Sequence, residues 1–167
     1  MPQLILASSL IHLPIASLKQ EERVGAVAQL LIDDESCKIL GLLVSTGFAR
    51  DCKFIAFDDI TSLDSSGVII KSSNDIGDIN DVVRARSAYK KRINLVGMRV
   101  RTESKKNLGK VYDYAVSMTY GLVMQLMVSS MFHNRIIPRS KIVSITKKSI
   151  IVEDDSLADA LVAPEAA

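Results

Sequence analysis

His12, His133, Cys37 and Cys52 are the side chains of this chain best suited to acid–base, thiol or metal chemistry, and their spacing favours none of it. The cysteines form no C-x-x-C pair. With only two histidines beside them, they are too few for a structural zinc site, and they read as reduced thiols packed as small hydrophobes. His12 precedes Leu13-Pro14 near a strand start, and His133 lies in a loop with Asn134 and Arg135. A serine and an aspartate for either could be found only by free choice. There is no G-x-x-x-x-G-K-[ST], no G-x-G-x-x-G before a helix, no G-x-S-x-G and no H-E-x-x-H. Asp33-Asp34-Glu35 gathers carboxylates of the kind a hard cation favours, but a solvated hairpin turn is the plainer reading. No catalytic residue, metal site or cofactor is expected.

Local basicity carries more. Arg84, Arg86, Lys90, Lys91, Arg92, Arg99 and Arg101 fall close together, with Lys105, Lys106 and Lys110 following. Such a run could engage phosphate or an acidic protein surface, or it could be an ordinary solvated linker and hairpin. The low aromatic content, 5% with no tryptophan, argues against single-stranded RNA, whose bases stack on aromatic faces. Met118, Met124, Met127 and Met131 place flexible apolar side chains along one strand region, where core packing explains them first. Met131-Phe132, if it projects from a loop, is the first choice for an exposed docking spot.

These residues sit in a chain of 167, with 48% hydrophobic and 24% charged residues and a net charge of +2. A mean hydropathy of +0.22 leaves ample apolar surface to bury, so a folded protein of one ordinary or two very small domains is expected. The apolar runs are broken by Gln29 and Gln125, far short of the roughly 18 residues of a membrane span. Met1–Leu6 has no basic start and no long apolar stretch, so no secretory signal is read and a cytoplasmic location is expected.

Short aliphatic and β-branched runs bounded by turn residues indicate strands. Residues 25–32 lead through the acidic turn into 39–44. Residues 54–57, 59–63 and 68–70 continue the rhythm, with Ser65-Ser66-Gly67 as a tight hairpin. The series then repeats. Arg23-Val24-Gly25-Ala26-Val27 matches Asn107-Leu108-Gly109-Lys110-Val111 at a displacement of 84 (25 to 109), and Leu42-Leu43-Val44-Ser45 matches Leu126-Met127-Val128-Ser129 at the same displacement. Ile60, Leu63 and residues 68–70 answer to Ile142, Ile145 and 150–152 at a displacement of 82 (68 to 150), so the change falls in the loop after Val44. Between the halves, Ile79, Val82, Val83, Arg86 and Tyr89 fall near one face of a short connecting helix, with Asp78 as its N-cap. Residues 156–167 are mostly small with one proline, and read as one packed helical turn or a frayed tail.

The second half resembles a PRC-barrel domain, the small β-barrel shared by the photosynthetic reaction-centre H subunit and ribosome-maturation factors. Leu95-Val96-Gly97-Met98-Arg99-Val100, then Leu108-Gly109-Lys110-Val111-Tyr112-Asp113, then Ile136-Ile137-Pro138 with Ile142 and Ile150-Ile151-Val152, follow that family's order of features through 93–155. The first half, 3–73, is similar with departures: Ala26 stands where the lysine would be, and Ala56 where the second half has Pro138. Residues 74–92 form the linker. The resemblance implies a mainly β chain of two tandem small barrels, closed so as to protect their edges. It also implies a non-enzymatic module that docks on a larger protein complex. A ribosome-associated RNA or ribonucleoprotein maturation role through the basic linker is the alternative. The first half does not look like the N-terminal barrel of the maturation factors, and no membrane-spanning run is present, so neither family role transfers whole. The expected binding residues are Arg84, Arg86, Lys90, Lys91, Arg92, Arg99, Arg101, Met131 and Phe132. Gly25 and Gly109 each open a strand just after a turn, where a missing Cβ permits positive φ or close backbone approach.

Overall fold

Alternation of aliphatic and polar residues on short segments separated by tight turns gives a mostly β chain, seen in a computed structural model that describes residues 3–47 and 53–154. The first sheet is built from β2 (Pro14–Ser17), β3 (Glu22–Ile32), β4 (Ile39–Ser45), β5 (Lys53–Ala56), β6 (Ile60–Asp64), β7 (Gly67–Ile70) and β8 (Gly77–Asp78), in the order β6-β7-β2-β3-β4-β5-β8. The second contains β9 (Arg99–Thr102), β10 (Asn107–Ser117), β11 (Leu122–Ser129), β12 (Asn134–Pro138), β13 (Ile142–Ile145) and β14 (Ser149–Val152), in the order β12-β11-β10-β9-β14-β13.

The two sheets share pairings as well as order. β2 lies parallel to β7 with Ile15 opposite Val68, and β9 lies parallel to β14 with Val100 opposite Ile150. The register shift between Val27 and Gln29 against β4 recurs between Val111 and Asp113 against β11. No ladder joins the ends of either sheet among the described residues, so the expected closed ring is instead a curled sheet. Local turn chemistry sets the hairpins: Ser66 N–H donates to Asp64 Oδ1 (2.7 Å) across the Ser65-Ser66 turn, as an Asx-type turn requires.

The halves meet about a local pseudo-dyad. Lys38 forms an isolated bridge with Leu122, its counterpart 84 positions on, and the flanking hydrogen bonds are reciprocal: Ile39 N–H donates to Gly121 O (2.8 Å) and Val123 N–H to Cys37 O (2.9 Å). Cys37 and Gly121 both adopt left-handed backbone, at φ +58° and +62°. One continuous core crosses the seam, holding Ile15, Val27 and Leu42 of the first sheet together with Val100, Leu126 and Ile150 of the second. Cys37 is buried in it, as expected for a small hydrophobe, and burial pushes its thiol pKa up. Cys52 lies outside the described residues.

The N-terminus crosses to the other half. β1 (Leu4–Leu6) pairs antiparallel with the end of β10, Leu4 opposite Ser117 and Leu6 opposite Ala115. The short α1 (Ala7–Leu10) follows, and its Ser8 donates from N and Oγ to Asp113 Oδ1 (3.1 Å) and Oδ2 (2.5 Å). Asp113, 7% exposed, thus satisfies donors at the start of a helix that sequence order assigns to the first unit.

The connecting helix is α2 (Val83–Lys91), shorter than the sequence pattern indicates. Asp78 caps a 3-10 turn at Ile79–Asp81, accepting from Asn80 N–H, and the α-helix begins only after it. The buried face is Ala85 and Ala88 with Ile79, packed on Leu31, Leu43 and Phe54. Val82, Val83 and Tyr89, placed on the inner face by periodicity, are largely exposed. Alanines allow the closer approach to the sheet. Residues 156–167, read as a tail, lie outside the described residues.

Candidate functional site

The long basic run divides between two surfaces. On α2, two of its cations are engaged inside the chain: Arg84 Nη2 reaches Asp33 Oδ2 (3.3 Å), and Lys91 Nζ donates to Asp34 Oδ1 (2.8 Å) and Oδ2 (3.0 Å). The acidic turn is therefore not the solvated hairpin its sequence suggests. Asp33 is 8% exposed and also accepts from Ser36 Oγ. The hydrogen bond from Lys91 to Asp34 holds the ammonium pKa above its ordinary value. Lys90 and Arg92 are exposed and Arg86 half-buried, with Arg92 in left-handed backbone as the helix C-cap. Arg84 and Lys91 of this face are thus bound to their own chain, while Lys90 and Arg92 face solvent.

Arg99 and Arg101 belong to the second sheet, on β9. The parallel pairing of β9 with β14 sets Ser149 opposite Arg99, and this brings the β13–β14 turn alongside. Arg99, Arg101, Lys147 and Lys148 then line one open cleft of about 600 Å³. The two lysines were missed in the sequence because only a long-range parallel ladder gathers them.

The opposite flank of Arg99 opens on an apolar groove. Ser130 and His133 close the β11–β12 turn at its base, where Ser130 N–H donates to His133 O (2.9 Å) and His133 N–H to Ser130 Oγ (3.3 Å). The two residues between them are thrust outward: Met131 is 90% and Phe132 80% exposed. They border a groove of about 990 Å³ that also presents Val96, Tyr112, Arg99 and Lys110. Val96 and Tyr112 are themselves 44% and 46% exposed, so the surface is an apolar floor with a cationic rim. Of the other methionines, Met118, Met124 and Met127 are half-buried, Met118 against the central core as core packing predicts.

This groove and the basic cleft both lie within residues 96–149. A family model of the PRC-barrel domain matches residues 91–158. The PRC-barrel match begins at the last residue of α2 and takes in all six strands of the second sheet, but not β1, which the fold adds to β10. No curated protein matches the chain significantly. Within the matched segment, Pro138 closes β12 at the edge of the sheet, where its missing N–H is tolerated. His133 is exposed in the turn, while His12 is held at the other sheet in left-handed backbone, its N–H donating to Val27 O (2.8 Å). No helix among the described residues is long and apolar enough to cross a membrane, and they contain no cluster of metal-ligating side chains.

Proposed function

We propose that the chain consists of two PRC-barrel-type domains in tandem, 3–73 and 93–155, bridged by the 74–92 linker, and acts as a non-enzymatic module that docks on a larger protein complex. The family match to the second unit and the shared strand order and registers of the two sheets support the tandem reading. The observation that carries the docking reading is the Met131-Phe132 turn, two large apolar side chains held in solvent by a braced turn beside a cation-rimmed groove. Fully burying each against a partner is worth roughly 1.5–3 kcal/mol in area terms, of which only a surplus appears as affinity.

The test is affinity purification of the tagged chain from its native cells at low and high salt, reading protein and RNA together. The docking reading expects one defined protein complex that survives high salt and is lost on Met131→Ser/Phe132→Ser. A complex that ignores this double substitution rules out the groove.

The cleft of Arg99, Arg101, Lys147 and Lys148 favours a second reading, a ribonucleoprotein partner. It predicts RNA-rich material lost as salt rises, because each neutralised phosphate releases counterion.

A further inference from the structure

The two sheets differ at one edge. In the first, the outer edge of β5 is taken by β8, with Asp78 opposite Lys53 and Gly77 opposite Phe54. The chain continues into Ile79, 1% exposed over Leu43 and Phe54. β12 holds the same place in the second sheet: at a displacement of 82 (56 to 138), Arg135 stands at the position of Lys53 and Ile136 at that of Phe54. Met127, opposite Ile136, stands at the position of Leu43. No strand lies on the outer edge of β12 among the described residues, and Met127 and Ile136 are only half-buried. Arg135 Nε and Nη1 are buried and have no hydrogen-bond partner there. An unpaired strand edge offers its N–H and C=O groups to an incoming strand, and buried guanidinium nitrogens without acceptors favour an incoming carboxylate.

We infer that β12 is a strand-addition site for an extended acidic segment of a partner protein, one carboxylate facing Arg135 and the next, aliphatic, side chain covering Met127 and Ile136. Gly77-Asp78 paired on β5, with Ile79 following in a 3-10 turn over Leu43 and Phe54, is the internal counterpart in backbone pairing and apolar cover; there the Asp78 carboxylate accepts from Asn80. A second copy of the chain fits poorly, because antiparallel self-pairing about the middle of β12 would bring the two Arg135 side chains near one another. The inference rests on the docking reading above and names a contact distinct from the Met131-Phe132 turn.

The probe is a synthetic peptide of residues 73–82, Ser-Asn-Asp-Ile-Gly-Asp-Ile-Asn-Asp-Val, titrated into the full chain labelled with nitrogen-15. Saturable amide shifts at Asn134–Ile137 are expected. Arg135→Glu in the chain, or Asp78→Lys in the peptide, should each weaken binding by about tenfold or more, and the two changes together should recover it. A peptide N-methylated at alternate residues should not bind, which tests strand addition without altering the protein. The inference is overturned by three results: no saturable shift at β12, an affinity indifferent to Arg135→Glu, or the outward-facing β12 amides, those not bonded to β11, already protected from exchange before peptide is added. The last would give the edge to another segment of this chain or to a second copy. Failure of the peptide with the Met131- and Phe132-dependent complex intact removes this inference alone.

Discussion

Replacing Gly109 by alanine is expected to cost about 3 kcal/mol, most of it from backbone. Gly109 has φ +121°, a region that L side chains rarely adopt, and forcing one there costs about 1–3 kcal/mol. The added Cβ would also stand 2.1 Å from Ser129 O and 2.7 Å from Ser129 C, atoms that cannot rotate aside. β10 and β11 must then separate at the Lys110–Ser129 pair, at about 1 kcal/mol for a weakened hydrogen bond. Gly25 is the matched control. Its Cβ would meet the Val44 methyl Cγ1 at 2.7 Å and Ser45 O at 2.9 Å without a left-handed φ, so Gly25→Ala should cost about 1–2 kcal/mol. Lys110→Ala, at an exposed position, should stay within about 0.5 kcal/mol. Urea unfolding at equilibrium measures all three, and heating should lower the midpoint of Gly109→Ala by roughly 6–12 °C. Equal urea midpoints for Gly109→Ala and Gly25→Ala would refute the reasoning, since only the first combines backbone strain with a backbone clash. Because Ser129 and Ser130 lead directly into the Met131-Phe132 turn, the same variant should also weaken docking.

Asp113→Ala should cost about 0.5–1.5 kcal/mol by removing the bonds from Ser8, whose exposed donors water then satisfies, with faster amide exchange in β1; an unchanged urea midpoint would show that β1 is not held by this contact. Hydrogen bonds from Ser66 and Ser104 hold the Asp64 and Asp154 carboxyls below 3.8, so their contribution is present above that pH and lost as pH falls through the folded values. Asp64→Asn/Asp154→Asn should therefore flatten the acid limb of stability measured by urea midpoints. Lys91 runs the other way: raised above 10.5, it contributes below that pH and loses its contribution as pH rises through the folded value, and Lys91→Met should flatten the alkaline limb. In a Cys52→Ser background, iodoacetamide at mildly alkaline pH should label Cys37 only after unfolding, because burial disfavours its thiolate; rapid native labelling would contradict the buried seam.

Local pattern made much of the first and second sheets legible. The displacement of 84 across β3–β4 and β10–β11 is the same one that aligns their bulges, and the change to 82 falls between β4 and β5, where chain length is cheap. The Ser65-Ser66 turn was readable because Asp64 and Gly67 supply its cap and its strand start. What sequence could not show is what crosses between halves. β1 looks like a strand of the first unit and pairs with β10, because pairing energy depends on which edge is vacant rather than on which is near. The acidic turn at Asp33-Asp34 and the basic α2 meet across a fold contact, so two of the cations that read as a binding face, Arg84 and Lys91, are paired within the chain. Lys147 and Lys148 join Arg99 only through a parallel ladder, which leaves no local signature. Met131 and Phe132 were legible because an apolar pair between Ser130 and His133 has no strand face to occupy.

The most direct test of the docking claim is a photo-crosslinking amino acid placed at Phe132 in living cells, with a control at Leu18, which is 56% exposed on the first half. The account predicts one predominant protein adduct from position 132 and none of that mass from position 18. The same adduct from both positions, or RNA as the main product at 132, would contradict it.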